Sequence, residues 1–235
     1  MRIREAIILA VGVVGAALVF GLFFHATRSS VETIQVVGSA STRFTADTLK
    51  WSVTLTRTIT GTTPAEGYAL IQDDVARLRS ALVGEGIRED AVTVQPATSH
   101  PMHDREGSIS GYRVQQAVQV ITTQLDAVED LAFAPGQFLE SGMILERSQL
   151  EYFYSEIDSL KHDLLADATR DARERAHRIA GAADVAVGPI REARAGVFQI
   201  REPYSTEVTA YGVYNTASRE KEITVTVHAG FSTER

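Results

Sequence analysis

Cysteine is absent from all 235 residues, which excludes disulfides, thiolate metal ligands, cysteine nucleophiles and a lipid-modified cysteine together. In an oxidising compartment the chain must therefore be stabilised by packing and assembly. Lysine is scarce, occurring only as Lys50, Lys161 and Lys221, and Asn215 is the sole asparagine. Arginine supplies most of the basic charge beside abundant Ala and Gly, a pattern of GC-rich bacterial codon usage. Nor is there an excess of positive charge. The net charge is −7, and because Arg2, Arg4 and Glu5 contribute +1, the remainder carries −8. Such a body has no basic footprint for nucleic acid. Phosphate-cradling loops are missing as well, with no Walker sequence and no G-x-G-x-x-G. Gly107-Ser108-Ile109-Ser110-Gly111 imitates a nucleophile elbow only superficially, since Ile109 stands where G-x-S-x-G needs the serine.

What is present begins with an apolar run. Ala6 to Phe24 contains no charged residue and follows Arg2, Arg4 and Glu5. As a helix it would reach roughly 28 Å, close to the hydrocarbon thickness of a bilayer. A cleaved signal peptide is the alternative, but such cores are shorter, and a cut after Ala26 would place bulky Phe24 at the minus-three position. The expectation is an uncleaved single-pass anchor over 6–24, with residues 1–5 cytoplasmic and 25–32 a linker. An extracytoplasmic body over 33–231 and a tail over 232–235 follow. The arginines before the run favour an inside N-terminus. Gly12 with Ala16, and Ala17 with Gly21, are candidate positions for helix packing in lipid.

About 205 residues remain for the body, enough for a substantial core. Ile34 to Ala40 reads as a strand. Thr48 to Ile59 reads as a longer one, because Leu49, Trp51, Val53 and Leu55 alternate with Lys50, Ser52, Thr54 and Thr56. After Pro64, the residues Tyr68, Ile71, Val75, Leu78 and Leu82 form one helical stripe that Gly84 and Gly86 stop. Strands follow at 91–97 and 109–123 around a polar loop, Ser99 to Ser108. A short helix begins at Asp126, whose side chain could cap it, and ends at Pro135-Gly136. Gly142 to Tyr154 is a strand. Ser155 to Ala183 is the longest helix, with Leu164, Ala168, Ala172, Ala176 and Ala180 four apart, a row of small residues suited to lying close on a sheet. Strands at 187–200 and 220–231 close the chain, the last leaving an open sheet edge. This order argues for an α+β fold: a largely antiparallel sheet packed with two long helices and one short helix, preceded by the single N-terminal transmembrane helix.

His100, His103 and Asp104 place three ligating side chains within five residues. One short loop rarely completes a coordination shell, and no H-E-x-x-H helix accompanies them. They read as an ordinary exposed loop, and no metal site, cofactor or catalytic residue is assigned. His25, His162, His177 and His228 read as solvated. Phe198, Tyr204, Tyr211 and Tyr214 gather in and beside the connection between the last two strands. That connection either folds back on its own domain or protrudes to form an interface, where tyrosine is enriched.

In order and spacing, several fragments resemble the SIMPL domain family, also called the DUF541 or 26 kDa periplasmic immunogenic protein family. They are Ile34-x-Val36-x-Gly38 with Asp47; Gly86-Ile87 with Asp90-x-Val92-Thr93; Gly111-Tyr112 with Val118 and Val120; Asp171-Ala172 with Ala176, Ala180 and Val187-Gly188; and Ile223-x-Val225-x-Val227. Gly196-Val-Phe-Gln-Ile200, with Tyr211-Gly212 and Ser218-x-x-Lys221, is similar to a membrane-anchored bacterial branch. The resemblance implies an extracytoplasmic α+β protein that assembles into rings, with envelope or stress-related roles and no catalytic residues to carry over. Pro101-Met102-His103 departs from relatives that have tyrosine after a proline in this loop. The resulting expectation is a non-enzymatic homo-oligomer on the outer side of a bacterial cytoplasmic membrane, whose partners are its own copies and the bilayer, with no nucleic acid. A binding protein for a small envelope ligand is the alternative, and a metal-dependent hydrolase using His100 and His103 is a third.

Overall fold

The computed structural model describes residues 3–28, 32–137, 139 and 142–234, with the backbone alone at 3–9, 23–28 and 137. Its elements are α1 (Ile3–Arg28), β1 (Thr33–Thr45), β2 (Thr48–Thr60), α2 (Ala65–Gly84), β3 (Val92–Val94), β4 (Thr98–His103), β5 (Ile109–Thr122), α3 (Leu125–Phe133), β6 (Met143–Phe153), α4 (Ile157–Gly181), β7 (Ala186–Ala195), β8 (Gln199–Arg201), β9 (Val213–Tyr214) and β10 (Glu220–Glu234). The α+β class follows from these. The strands form two five-stranded sheets rather than one, ordered β1-β10-β8-β9 with β7 also on β10, and β3-β5-β2-β6 with β4 also on β5. Every described register is antiparallel except that of β8 with β9.

The chain divides into two compact units. One comprises Ser41–Leu164 and Val197–Val225. Here the alternation of β2 buries Leu49, Trp51, Val53 and Leu55 against Ile71, Val75, Leu78 and Leu82 of the α2 stripe. Helix α2 stops where the glycines predict: Gly86 takes φ 84°, its N–H donates to the Val83 carbonyl at 2.9 Å, and the Ile87 N–H reaches Leu82 at 3.0 Å. A left-handed residue just past the last turn is what glycine accommodates. Asp74 lies on the same stripe and is completely buried, paired with the nearly buried Arg57 of β2. Asp126 does not cap α3, which has no side-chain cap. It sits in the first turn and pairs with Arg219 at 2.5 Å.

The other unit comprises Met1–Ala40, Leu165–Gly196 and Thr226–Arg235. Ala168, Ala172, Ala176 and Ala180 are essentially inaccessible to solvent, and they bring α4 so close to β1 that a Cβ on Gly38 would stand 2.1 Å from the Ala168 carbonyl oxygen. The pair Glu174 with Arg178 forms on the exposed face at 3.6 Å, whereas Asp171 with Arg175, at 2.8 Å, also reaches β1, the Asp171 carboxylate accepting the Ser39 N–H at 2.7 Å.

Four expectations change. The final strand is interior, with β1 on one side and β7 and β8 on the other, so it leaves no open edge. It also continues through Glu234, absorbing residues 232–234 that had read as a tail. The apolar run is helical within α1, which extends through Arg28 into the expected linker. Among the described residues, however, no helix is long and apolar enough to cross a membrane. The described side chains of α1 are those of 10–22, and all are exposed. Arg2 and residues 29–31 lie outside the described residues.

Candidate interaction surface

Residues 202–212 connect β8 to β9, two strands that pair in parallel through Gln199 with Val213 and Ile200 with Tyr214. A parallel pair joined by so short a segment forces the chain to loop out and return, and side chains fix the path. Gln199 is buried, and its amide nitrogen donates to the Thr209 carbonyl at 2.7 Å. The Thr209 hydroxyl donates to the Gly212 carbonyl at 2.9 Å, and an Arg201 guanidinium nitrogen donates to the Glu207 carbonyl at 3.0 Å. Gly212 turns the return at φ 86°, where a Cβ would meet the Phe198 carbonyl oxygen at 2.9 Å. The loop is thus ordered and tied by side-chain bonds to β8 rather than a slack connection.

Apolar and aromatic groups crown it. Tyr211 is 97% exposed, Tyr204 84% and Val208 69%. Tyr204 occupies the left-handed region at φ 67°, uncommon for a bulky residue. Arg43 of β1 fixes its ring, stacking 4.4 Å from the centroid and donating to the hydroxyl at 3.2 Å, while Glu222 engages the same guanidinium at 3.3 Å. The other two aromatic candidates differ. Phe198 is half-buried. Tyr214 is 41% exposed, with its ring 6.3 Å from Phe153. Burial and the nearby Asp47 charge raise its hydroxyl pKa, opposed by the Tyr154 backbone N–H. Tyr204 and Tyr211 are therefore the presented pair, and Val208 joins them although its sequence context gave no sign of it.

Beneath the loop, Lys221 is completely buried on β10, and its ammonium donates to the Asn215 carbonyl at 2.5 Å. Burial lowers its pKa from 10.5 to about 8, with Glu202 acting in the opposite sense. The folded chain consequently binds fewer protons than the unfolded chain between about pH 8 and 10.5. Stability then rises with pH across that window, by on the order of 1–3 kcal/mol, while the cost of the buried ammonium is fully present below it. Denaturation midpoints of the parent and Lys221→Met at pH 7.5 and 10 check this. The parent gains relative to the variant at the higher pH, and parallel behaviour of the two would contradict the assignment.

The remaining candidates are dispersed. His100 and His103 are exposed on β4, in what had read as a loop, and the Asp104 carboxylate accepts the N–H groups of Glu106 and Ser108 at 2.9 Å each, closing the hairpin. Among the described residues, no group of three or more His, Asp or Glu is placed to hold a metal ion. An open cleft of 360 Å³ lies between Thr48, Ala91 and Gln124, but the Arg88 and Asp90 side chains on its wall engage each other. Gly12, Ala16, Ala17 and Gly21 are exposed along α1. In comparisons with known proteins, the family model described as SIMPL, protein of unknown function (DUF541), matches residues 34–231. No curated protein matches the chain.

Proposed function

From the premise that this chain belongs to the SIMPL (DUF541) family, we propose that it is a membrane-anchored, extracytoplasmic homo-oligomer that acts as a non-catalytic envelope scaffold, with Tyr204, Val208 and Tyr211 seated on the next copy. The observation that carries this reading is the exposure of Tyr211, Val208 and Tyr204 on a loop whose backbone is already pinned. An ordered aromatic projection offers large contact area with little conformational freedom left to lose. A head-to-tail contact of this kind gives a ring when its rotation closes. Rings are also what the family resemblance implies.

The same reading takes the uncharged run from Ala6 to Phe24 as the anchor, on the ground that 19 such residues in a helix would reach roughly 28 Å, near the hydrocarbon thickness of a bilayer. Tethering copies in one plane raises their effective concentration, so a modest contact suffices to close an assembly. Exposed Gly12, Ala16, Ala17 and Gly21 would let two such helices approach closely in lipid.

The paired change Tyr204→Ala and Tyr211→Ala tests the loop's role. A central interface aromatic is commonly worth about 2 kcal/mol or more, roughly thirtyfold in affinity, and a ring repeats that loss at every contact. Light scattering of the detergent-extracted full chain should therefore show smaller species for the variant, with unchanged circular dichroism. A variant that keeps the parent mass overturns the assignment of this surface.

A further inference from the structure

Asn215 occupies a position of unusual connectivity. Its N–H donates to the Ile200 carbonyl at 2.8 Å, fixing the segment after β9 against β8. Its side-chain oxygen accepts the Ala217 N–H at 2.7 Å, and its side-chain nitrogen donates to a Glu202 carboxylate oxygen at 3.4 Å, at the start of the projecting loop. Its carbonyl receives the Lys221 ammonium. One residue on, the Thr216 carbonyl accepts the Tyr152 N–H of β6 at 2.8 Å. The only asparagine in the sequence thus joins both ends of the loop, and one of the three lysines, completely buried, holds it there.

A buried ammonium is an expensive way to fill space, since an apolar side chain of equal length would occupy the position without the desolvation cost. Its distinctive contribution here is the directed bond to Asn215. We propose that Lys221 and Asn215 form a latch that sets the path of residues 202–214 and so the direction in which Tyr204 and Tyr211 are presented. Lys221 is a positioning residue: it acts on the exposed pair through Asn215 and touches no partner itself. The use made of that direction, contact with a second copy of the chain, rests on the function proposed above.

The latch separates local order from global stability, and a purely space-filling lysine would not. In Lys221→Met the buried charge disappears and the chain length is kept, so the global denaturation midpoint at pH 7 stays equal or rises. Amide hydrogen exchange at Thr209 and Asn215 of the full chain should nevertheless accelerate about tenfold or more, because the loop loses a charge-assisted bond. Asn215→Ala, which retains Lys221 and cuts the bonds to Glu202 and Ala217, should accelerate the same amides and keeps the test decisive if the first variant fails to fold. Unchanged exchange at these amides in the folded variants overturns the latch. Accelerated exchange with an unchanged particle mass supports the latch and contradicts only the use of the latched direction in contact with a second copy.

Discussion

Replacing Asp74 with Ala is expected to lower the stability of the unit built on β2 and α2 by about 3–5 kcal/mol. The carboxylate is completely buried, accepts two bonds from Arg57 at 2.6 and 2.7 Å, and receives a third from Arg77 at 3.2 Å. Its removal takes two charge-assisted hydrogen bonds from a guanidinium that is itself only 6% exposed. A domain's total stability is commonly about 5–15 kcal/mol, so the loss is a large share of it. The urea midpoint at pH 7 reads the effect. Removing both charges with apolar side chains, as in Arg57→Met with Asp74→Leu, should recover much of the loss, because a buried ion pair and a well-packed apolar pair are often close in energy. An Asp74→Ala unfolding free energy within about 0.5 kcal/mol of the parent would mean the pair lies outside the folded core.

The second large effect is Gly38→Ala. The added carbon would stand 2.1 Å from the Ala168 carbonyl oxygen, 2.4 Å from the Ala172 nitrogen and 2.7 Å from the Ala172 Cβ. Two of those three atoms are helix backbone, so no rotamer change relieves the collision, and α4 must move off β1 as a body. Close-packed interiors resist such shifts, and the expected cost is about 3 kcal/mol or more. Thermal unfolding of the variant should begin well below that of the parent. Ala172→Gly should not rescue it, since the backbone contacts remain. Rescue by that change would show that side-chain crowding, rather than the approach of the helix itself, is what excludes a larger residue at Gly38.

Periodicity made much of this legible. The four-residue spacing of Ala168, Ala172, Ala176 and Ala180 announced a helix lying close on a sheet, and Gly38 is the matching concavity. Alternation in β2 and the stripe of α2 located most of one core. Two buried charges were readable by the same rule. Asp74 is three residues after Ile71 and four before Leu78, and Lys221 is two before Ile223, so both are in phase with apolar neighbours. Other features had no local signal. Strand β4 contains Pro101 and two histidines, and pairing with β5 outweighs its poor strand propensity. The interior position of β10, and the packing of Tyr214 on Phe153, depend on partners remote in sequence. For the loop, composition identified an aromatic connection, but only the folded chain separates the almost fully exposed Tyr204 and Tyr211 from the half-buried Phe198 and from Tyr214, whose ring lies near Phe153.

The particle mass of the full chain, extracted in mild detergent and measured by light scattering at tens of micromolar, tests the central claim most directly. A single species at a fixed multiple of the chain mass, unchanged on tenfold dilution, is the predicted result. A particle containing one chain, or a mass that climbs continuously with concentration, would contradict a closed assembly.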